Sequence, residues 1–299
     1  MEVSPCGTKL AVGADFPSDL CILNARSLDT QMMCAGHTDW IFALAWVNTD
    51  LLVSGGRDGL LRVWDTRRCG SSNVHEALPV LSACATRSGH AQRVRAMTYM
   101  SASQILASLS PDGVVRLWDP AGGLTPVGGD IMLPGVTVED SCCLVSAGDS
   151  VNGHIATHPH TAIAGGLRLY MLDVRCPTNS EHFMQIFPAH DQRMGIRSLS
   201  LRDHLLTVGT AAGSLSFMDM RVRRYIPVAA VVPSSGASCS DEMTLHVGKG
   251  RIQVTNHRDG LSDLQTVFHH AWDPAHRRLA TVGGPIQSGL RGSYAAIWA

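Results

Sequence analysis

The 299-residue chain holds 24 Lys and Arg against 25 Asp and Glu, a formal net charge of −1, with 45% apolar and 16% charged residues. A charged share well below the ordinary quarter excludes a disordered or coiled-coil chain, and near-neutrality offers no global field for nucleic acid. Nine Cys without a Cys-x-x-Cys pair, and a longest apolar run of eight residues from Trp40 to Val47, predict reduced thiols, a cytoplasmic and nuclear location and no membrane partner.

In chain order, Glu2 to Ser4, Leu10 to Gly13 and Leu20 to Asn24 read as a first trio of strands. Gly36-His37 then leads after 26 residues to Trp64-Asp65, and Gly89-His90 after 27 residues to Trp118-Asp119. This Gly-His to Trp-Asp spacing is the repeat signature of a propeller blade. Inside the first such unit lie Trp40 to Trp46, Leu51 to Ser54, the turn Gly56 to Gly59, and Leu60 to Trp64. The second repeats the plan with Val94 to Tyr99, Ile105 to Ser108, Pro111-Asp112-Gly113, and Val114 to Trp118. Asp-Gly between short apolar runs is a hairpin signal, because Gly takes the positive φ the turn needs. Asp65, Asp119, Asp173 and Asp219 close successive third strands at intervals of 54, 54 and 46 residues, which suits four-stranded blades with long loops. Leu172 and Met218 stand in for Trp in the two weaker units, and Thr266 to Trp298 forms the last. Six three-strand units are therefore expected in an all-β chain, with residues 227–265 an insertion of about 39 residues between blades.

Over essentially its whole length the sequence resembles the WD-repeat β-propellers. That resemblance implies a hydrogen-bonded tetrad in each well-formed blade, here His37, Ser54, Asp58 and Trp64, then His90, Ser108, Asp112 and Trp118. These His residues are expected to serve the scaffold, since a buried imidazole needs partners for its nitrogens. No strand precedes Glu2 to complete the last blade, and the sequence stops one residue after Trp298. An N-terminally shortened form of a seven-bladed parent is the expectation.

In an up-and-down blade with strands a to d from the axis outward, b–c turns and d-to-a connections share one face. Arg57, Arg93, Arg95, Arg193 and Arg197 fall there, with Lys249 and Arg251 placed to overhang it. Each alone reads as a solvated turn residue. Together, near the axis, they call for an anionic ligand, and Arg forks pair bidentately with carboxylates. On the opposite face, Asp65-Thr66-Arg67, Asp173-Val174-Arg175 and Asp219-Met220-Arg221 put an Asp-x-Arg at three c–d corners. Each Arg either braces its own turn or presents a docking surface.

Asp-x-Arg after Trp resembles the adaptor-docking hallmark of cullin-4 ubiquitin ligase receptors. The match is complete at Trp64 to Arg67, while Trp118-Asp119-Pro120-Ala121 lacks the Arg. Gly36 to Phe42, Ser54 to Gly59, Gly195 to Ser198, Thr207 to Thr210, Gly248-Lys249-Gly250 and Gly283 to Leu290 are similar to the DCAF twelve family of cullin-4-associated factors. That family reads acidic C-termini, typically paired Glu. The resemblance implies a substrate pocket lined by Arg57, Arg93, Arg95, Arg197 and Lys249. It also implies docking of the ligase's damage-binding adaptor through Asp65, Arg67, Asp173, Arg175, Asp219 and Arg221. The family's upstream segment, with one more blade and adaptor-binding helices, is not in this sequence.

Enzyme motifs are weak. His154, His158 and His160 lack a closing ligand set for zinc, His269-His270 point to opposite faces of a strand, and Cys142-Cys143 reads as strand packing. Gly248-Lys249-Gly250 lacks the remainder of a phosphate loop. No catalytic residue, metal or cofactor is expected. The function expected is a substrate receptor of a cullin-4 ligase; a WD-repeat scaffold with no ubiquitin role is the alternative.

Overall fold

The computed structural model describes residues 1–13, 20–68, 78–135, 143–146, 160–176, 183–188, 195–211, 213–226, 244–248, 251–253, 265–272, 278–285 and 294–298. These form six sheets, met in chain order and antiparallel but for one two-residue pairing in the first, of a WD-repeat β-propeller. In the second sheet, strand a is Ile41–Trp46, b Leu51–Gly56, c Leu60–Asp65 and d Ala85–Ser88. The third sheet repeats this with Ala96–Met100, Ile105–Leu109 and Val114–Asp119, the fourth with Cys143–Ser146, Thr161–Gly165, Arg168–Asp173 and Met184–Pro188. The fifth begins with Ile196–Arg202, Leu205–Thr210 and Ser214–Asp219. The sixth has Gln265–Trp272, Leu279–Pro285 and Tyr294–Trp298.

The second to fifth sheets are each covered by a neighbour on both sides, so both faces of their inner strands are apolar. Strand c of the second sheet shows the division: Leu61 and Val63 enter the cluster shared with the third sheet, while Trp64 enters the one shared with the first. Similar clusters join third to fourth, fourth to fifth and fifth to sixth. Two-sided burial is the physical reason for the low charge content. Register shows why the weaker repeats still fold: Trp64, Trp118, Leu172 and Met218 stand opposite Leu52, Leu106, Ala162 and Leu206 respectively. Two residues further along strand b, Ser54 and Ser108 serve the indoles, whereas Ala164 and Val208 occupy that position where no indole needs an acceptor.

The fourth strands depart from the expected plan. In the third sheet strand d is split, Thr125–Pro126 pairing with the end of strand c and Ile131–Met132 with its start. The fifth sheet does the same over a longer distance, with Arg224–Tyr225 and then Thr244–Gly248 on strand c, and Arg251–Gln253 added outside. Part of the 227–265 segment is therefore sheet; the rest lies outside the described residues. Val80–Leu81 leaves the second blade and pairs in parallel with strand Thr30–Cys34 of the first, covering an edge.

Around the tetrads the hydrogen bonds can be followed atom by atom. Nδ1 of His37 lies 2.9 Å from Asp58 Oδ2, its Nε2 2.7 Å from Ser54 Oγ, and Trp64 Nε1 donates to the same oxygen at 2.8 Å. A carboxylate only accepts, so Nδ1 carries the hydrogen and Ser54 donates to Nε2. Asp58 also accepts the amides of Thr38 and Leu60. Burial pushes its pKa up, but the His37 contact and these amides outweigh it and the carboxyl is held low. In the third sheet Ser108 Oγ lies 2.8 Å from His90 Nε2 and accepts from Trp118 Nε1 at 2.8 Å, while Asp112 accepts the Val114 amide.

Burial, reinforced by Arg116 and opposed by Asp112 and Asp130, depresses the His90 pKa to about 4. An unfolded imidazole takes up its proton near 6.5. Between those values the unfolded state binds more protons, so stability falls as pH drops from about 6.5 to about 4. Urea unfolding at pH 7 and pH 4.5 should show His90→Gln losing clearly less stability than the parent, with remaining slope from buried His270, depressed to about 3 chiefly by burial, and from His269, also lowered by burial. Equal losses in both proteins would contradict this.

Candidate functional site: a cationic mouth and three Asp-x-Arg corners

The mouth is built where the b–c turn of one blade bonds to the approaches of two inner strands. Arg57 N–H donates to Trp40 O at 2.7 Å, and Val94 N–H to Gly56 O at 2.9 Å. Gly89 and His90 both donate to Gly59 O. Gly59 sits at φ +73°, and a Cβ there would fall 2.7 Å from the His90 carbonyl oxygen, so only Gly permits this closeness. Arg57 is thus fixed beside the segment that carries Arg93 and Arg95. The fifth sheet is built alike, with Ile196 donating to Gly166 O and Ala211 to Gly195 O.

Register irregularities single out one residue at the start of several inner strands. Strands a and b shift register at Phe42, between Ile41 and Ala43, and at Arg197, between Ile196 and Ser198. A bulge re-aims the side chain it carries. Arg95, one residue before Ala96, whose partner is Leu109, holds the position equivalent to Phe42. Arg57 and Arg95 are exposed, Arg93 and Arg197 half-buried. Arg57, Arg93 and Arg95 come together at the boundary of the second and third blades, while Arg197 belongs to the fifth, on the same face. Arg193 and Lys249 lie outside the described residues.

Aromatic rings, absent from the list of expected site residues, organise this cluster. The guanidinium carbon of Arg57 is 5.7 Å from the Trp40 ring centroid and that of Arg95 5.5 Å from Phe42. Asp39 Oδ2 lies 3.7 Å from Arg57 Nε with both partners well exposed, and such a pair contributes about 0–1 kcal/mol. Among the described residues Arg95 has no carboxylate partner. The readable signal was Trp-Ile-Phe at the head of a strand, where two-residue spacing puts both rings on one face.

The opposite face contrasts in its electrostatics. Arg67 donates Nε and Nη2 to Asp65, Arg175 to Asp173 and Arg221 to Asp219, all bidentate at 2.6–3.1 Å. Each Asp also accepts its own Arg's amide. These bonds hold all three carboxyls below the usual range, Asp219 at about 2. The x residue of each motif donates its amide to the residue before strand b: Thr66 to Asp50, Val174 to His160, Met220 to His204. Lys9 ties the first corner to the neighbouring blade through Asp50 and Thr66. The Asp side chains are 11–23% exposed and the Arg side chains 63–70%, so each corner presents a guanidinium whose Nη1 has two further N–H donors. Beside the third corner, Arg202, His204, Leu205 and Ile226 line a cleft of about 350 Å³.

His160 Nδ1 is 2.6 Å from Ser103 Oγ, His270 Nδ1 2.7 Å from Ser198 Oγ, and His154 and His158 lie outside the described residues. Cys143 packs between the fourth and fifth sheets; Cys142 lies outside.

A family model described as the DDB1- and CUL4-associated factor 12 beta propeller matches residues 1–299. The sequence is also similar to the ribosome biogenesis protein YTM1 of Coccidioides immitis (strain RS), 35% identical over 97 residues, which are 30% of this chain and 19% of that protein. Cell division cycle 20.1, cofactor of APC complex, from Arabidopsis thaliana is 29% identical over 116 residues, 39% of this chain and 23% of that one. The matches span about a fifth of the length of these two relatives.

Proposed function

This chain belongs to the DDB1- and CUL4-associated factor 12 β-propeller family, and on that premise we propose that it is the non-catalytic substrate-recognition subunit of a cullin-4 ubiquitin ligase, binding acidic protein C-termini at its cationic mouth. The observation that carries the reading is the difference between its two sets of arginines. On the corner face every motif Arg is matched by its own Asp. At the mouth Arg57 and Arg95 rest on aromatic rings, which hold a cation without cancelling it. A chain ending in Glu-Glu brings three carboxylates, and each charge-assisted bond contributes about 1.5–3 kcal/mol. After ordering costs, affinity in the micromolar range follows.

The corners take the other role, as rigid, outward-facing guanidiniums for the ligase's adaptor. Their self-pairing equally suits turns that are merely braced, and a capture experiment distinguishes the two. Replacing Arg67, Arg175 and Arg221 together with Ala should abolish capture of the adaptor while a Glu-Glu peptide still binds within about twofold, since the mouth lies on the opposite face. Undiminished capture by the folded triple variant would assign the corners to bracing alone.

A further inference from the structure

Trp40 is 44% exposed on a scaffold that buries Trp64 and Trp118 in its blades. Its ring meets Phe42 edge to face, with centroids 6.3 Å apart and planes at 80°, a favourable arrangement that fixes both rings. Arg57 lies over one ring and Arg95 over the other, giving a continuous ladder from Arg57 through Trp40 and Phe42 to Arg95. A carboxylate would fix an arginine equally well but would neutralise it, as at the corners. A quadrupole attracts the cation and leaves its net charge intact. Phe42 occupies a bulge and the Trp40 carbonyl accepts the Arg57 amide, so backbone and ring fix Arg57 together.

We propose that Trp40 and Phe42 are positioning residues of the mouth, holding Arg95, and Arg57 with its long, exposed Asp39 pair, oriented for the carboxylates of an acidic chain end. The inference rests on the reading of the mouth as an acidic-tail receptor, and two measurements keep the two apart. The first needs no peptide. Emission from Trp40, taken as the difference between the parent and Trp40→Phe, is quenched with iodide and with caesium, each normalised to free N-acetyltryptophanamide. With Arg57 only partly offset by its long pair with Asp39, iodide is the more effective by about twofold, and Arg57→Gln, which leaves Asp39 unopposed, removes that preference. Equal quenching in the parent overturns the inference.

The second measurement titrates a peptide ending in Glu-Glu. Phe42→Leu should weaken binding about five- to twentyfold and Phe42→Tyr should stay within about twofold of the parent. In an Arg95→Gln background Phe42→Leu should change affinity by less than about twofold, because no cation remains for the ring to hold. A purely structural Phe42 would cost the same in both backgrounds. Full affinity in Phe42→Leu overturns the ladder and leaves the receptor reading standing. No binding by a parent that still prefers iodide overturns the receptor reading, and the ligand assigned to the ladder with it.

Discussion

Trp64→Ala is expected to remove about 4 kcal/mol of stability, within the 3–5 kcal/mol typical of truncating a buried aromatic. Trp64 is fully buried between the first and second blades, and its indole donates to Ser54 Oγ, which also meets His37. Alanine leaves a cavity and takes a donor from a buried hydroxyl. For a chain of 299 residues about 4 kcal/mol corresponds to roughly 6 °C in Tm. Trp64→Phe keeps most of the packing and loses the hydrogen bond, so its cost should be less than half. The damage also reaches the mouth: His37 steadies Asp58, and Asp58 holds the turn bearing Arg57. Thermal unfolding followed by circular dichroism checks the ranking, and equal losses in the two variants would show that the tetrad bond, not packing, dominates.

Arg95→Glu is expected to weaken a Glu-Glu-ended peptide by about 100-fold or more with little change in Tm. It removes one charge-assisted bond and puts a like charge against the ligand, and effects of a few kcal/mol are usual for such reversals. Stability is spared because Arg95 is exposed and, among the described residues, makes a ring contact and a backbone bond. Arg57→Glu should act in the same direction but less, because Asp39 already offsets part of its charge. Calorimetric titration of both variants checks the order. A loss that vanishes at high salt would mark a steering effect rather than a contact.

The blade pattern was legible because its signals are local. Gly-His, Asp-Gly and Trp-Asp fall at fixed offsets, and each corresponds to a turn or a strand end whose geometry only a few residue types satisfy. Strand d was not legible, since Thr125–Pro126 and Ile131–Met132 are two-residue pieces and Thr244–Gly248 returns to its sheet from far along the chain. Pairing of Val80–Leu81 with the preceding blade is likewise a tertiary choice that no short window contains. For the site, the alternation rule was enough to place Arg57, Arg93, Arg95 and Arg197 on one face. What surrounds each charge was beyond it. Asp-x-Arg spacing permits a bidentate pair within one turn, and the structure shows it three times. Trp40 and Phe42 read as members of an apolar run, an inner strand and a family-like segment, and their service to Arg57 and Arg95 appears once the turn between two blades is folded.

The most direct measurement compares one peptide in three forms against the parent protein: ending in Glu-Glu with a free carboxylate, ending in Glu-Glu with an amidated terminus, and ending in Gln-Gln. A mouth that grips carboxylates through its arginines predicts micromolar binding of the first, roughly tenfold weaker binding of the second, and loss by about 100-fold or more for the third. The same affinity for all three forms would contradict it.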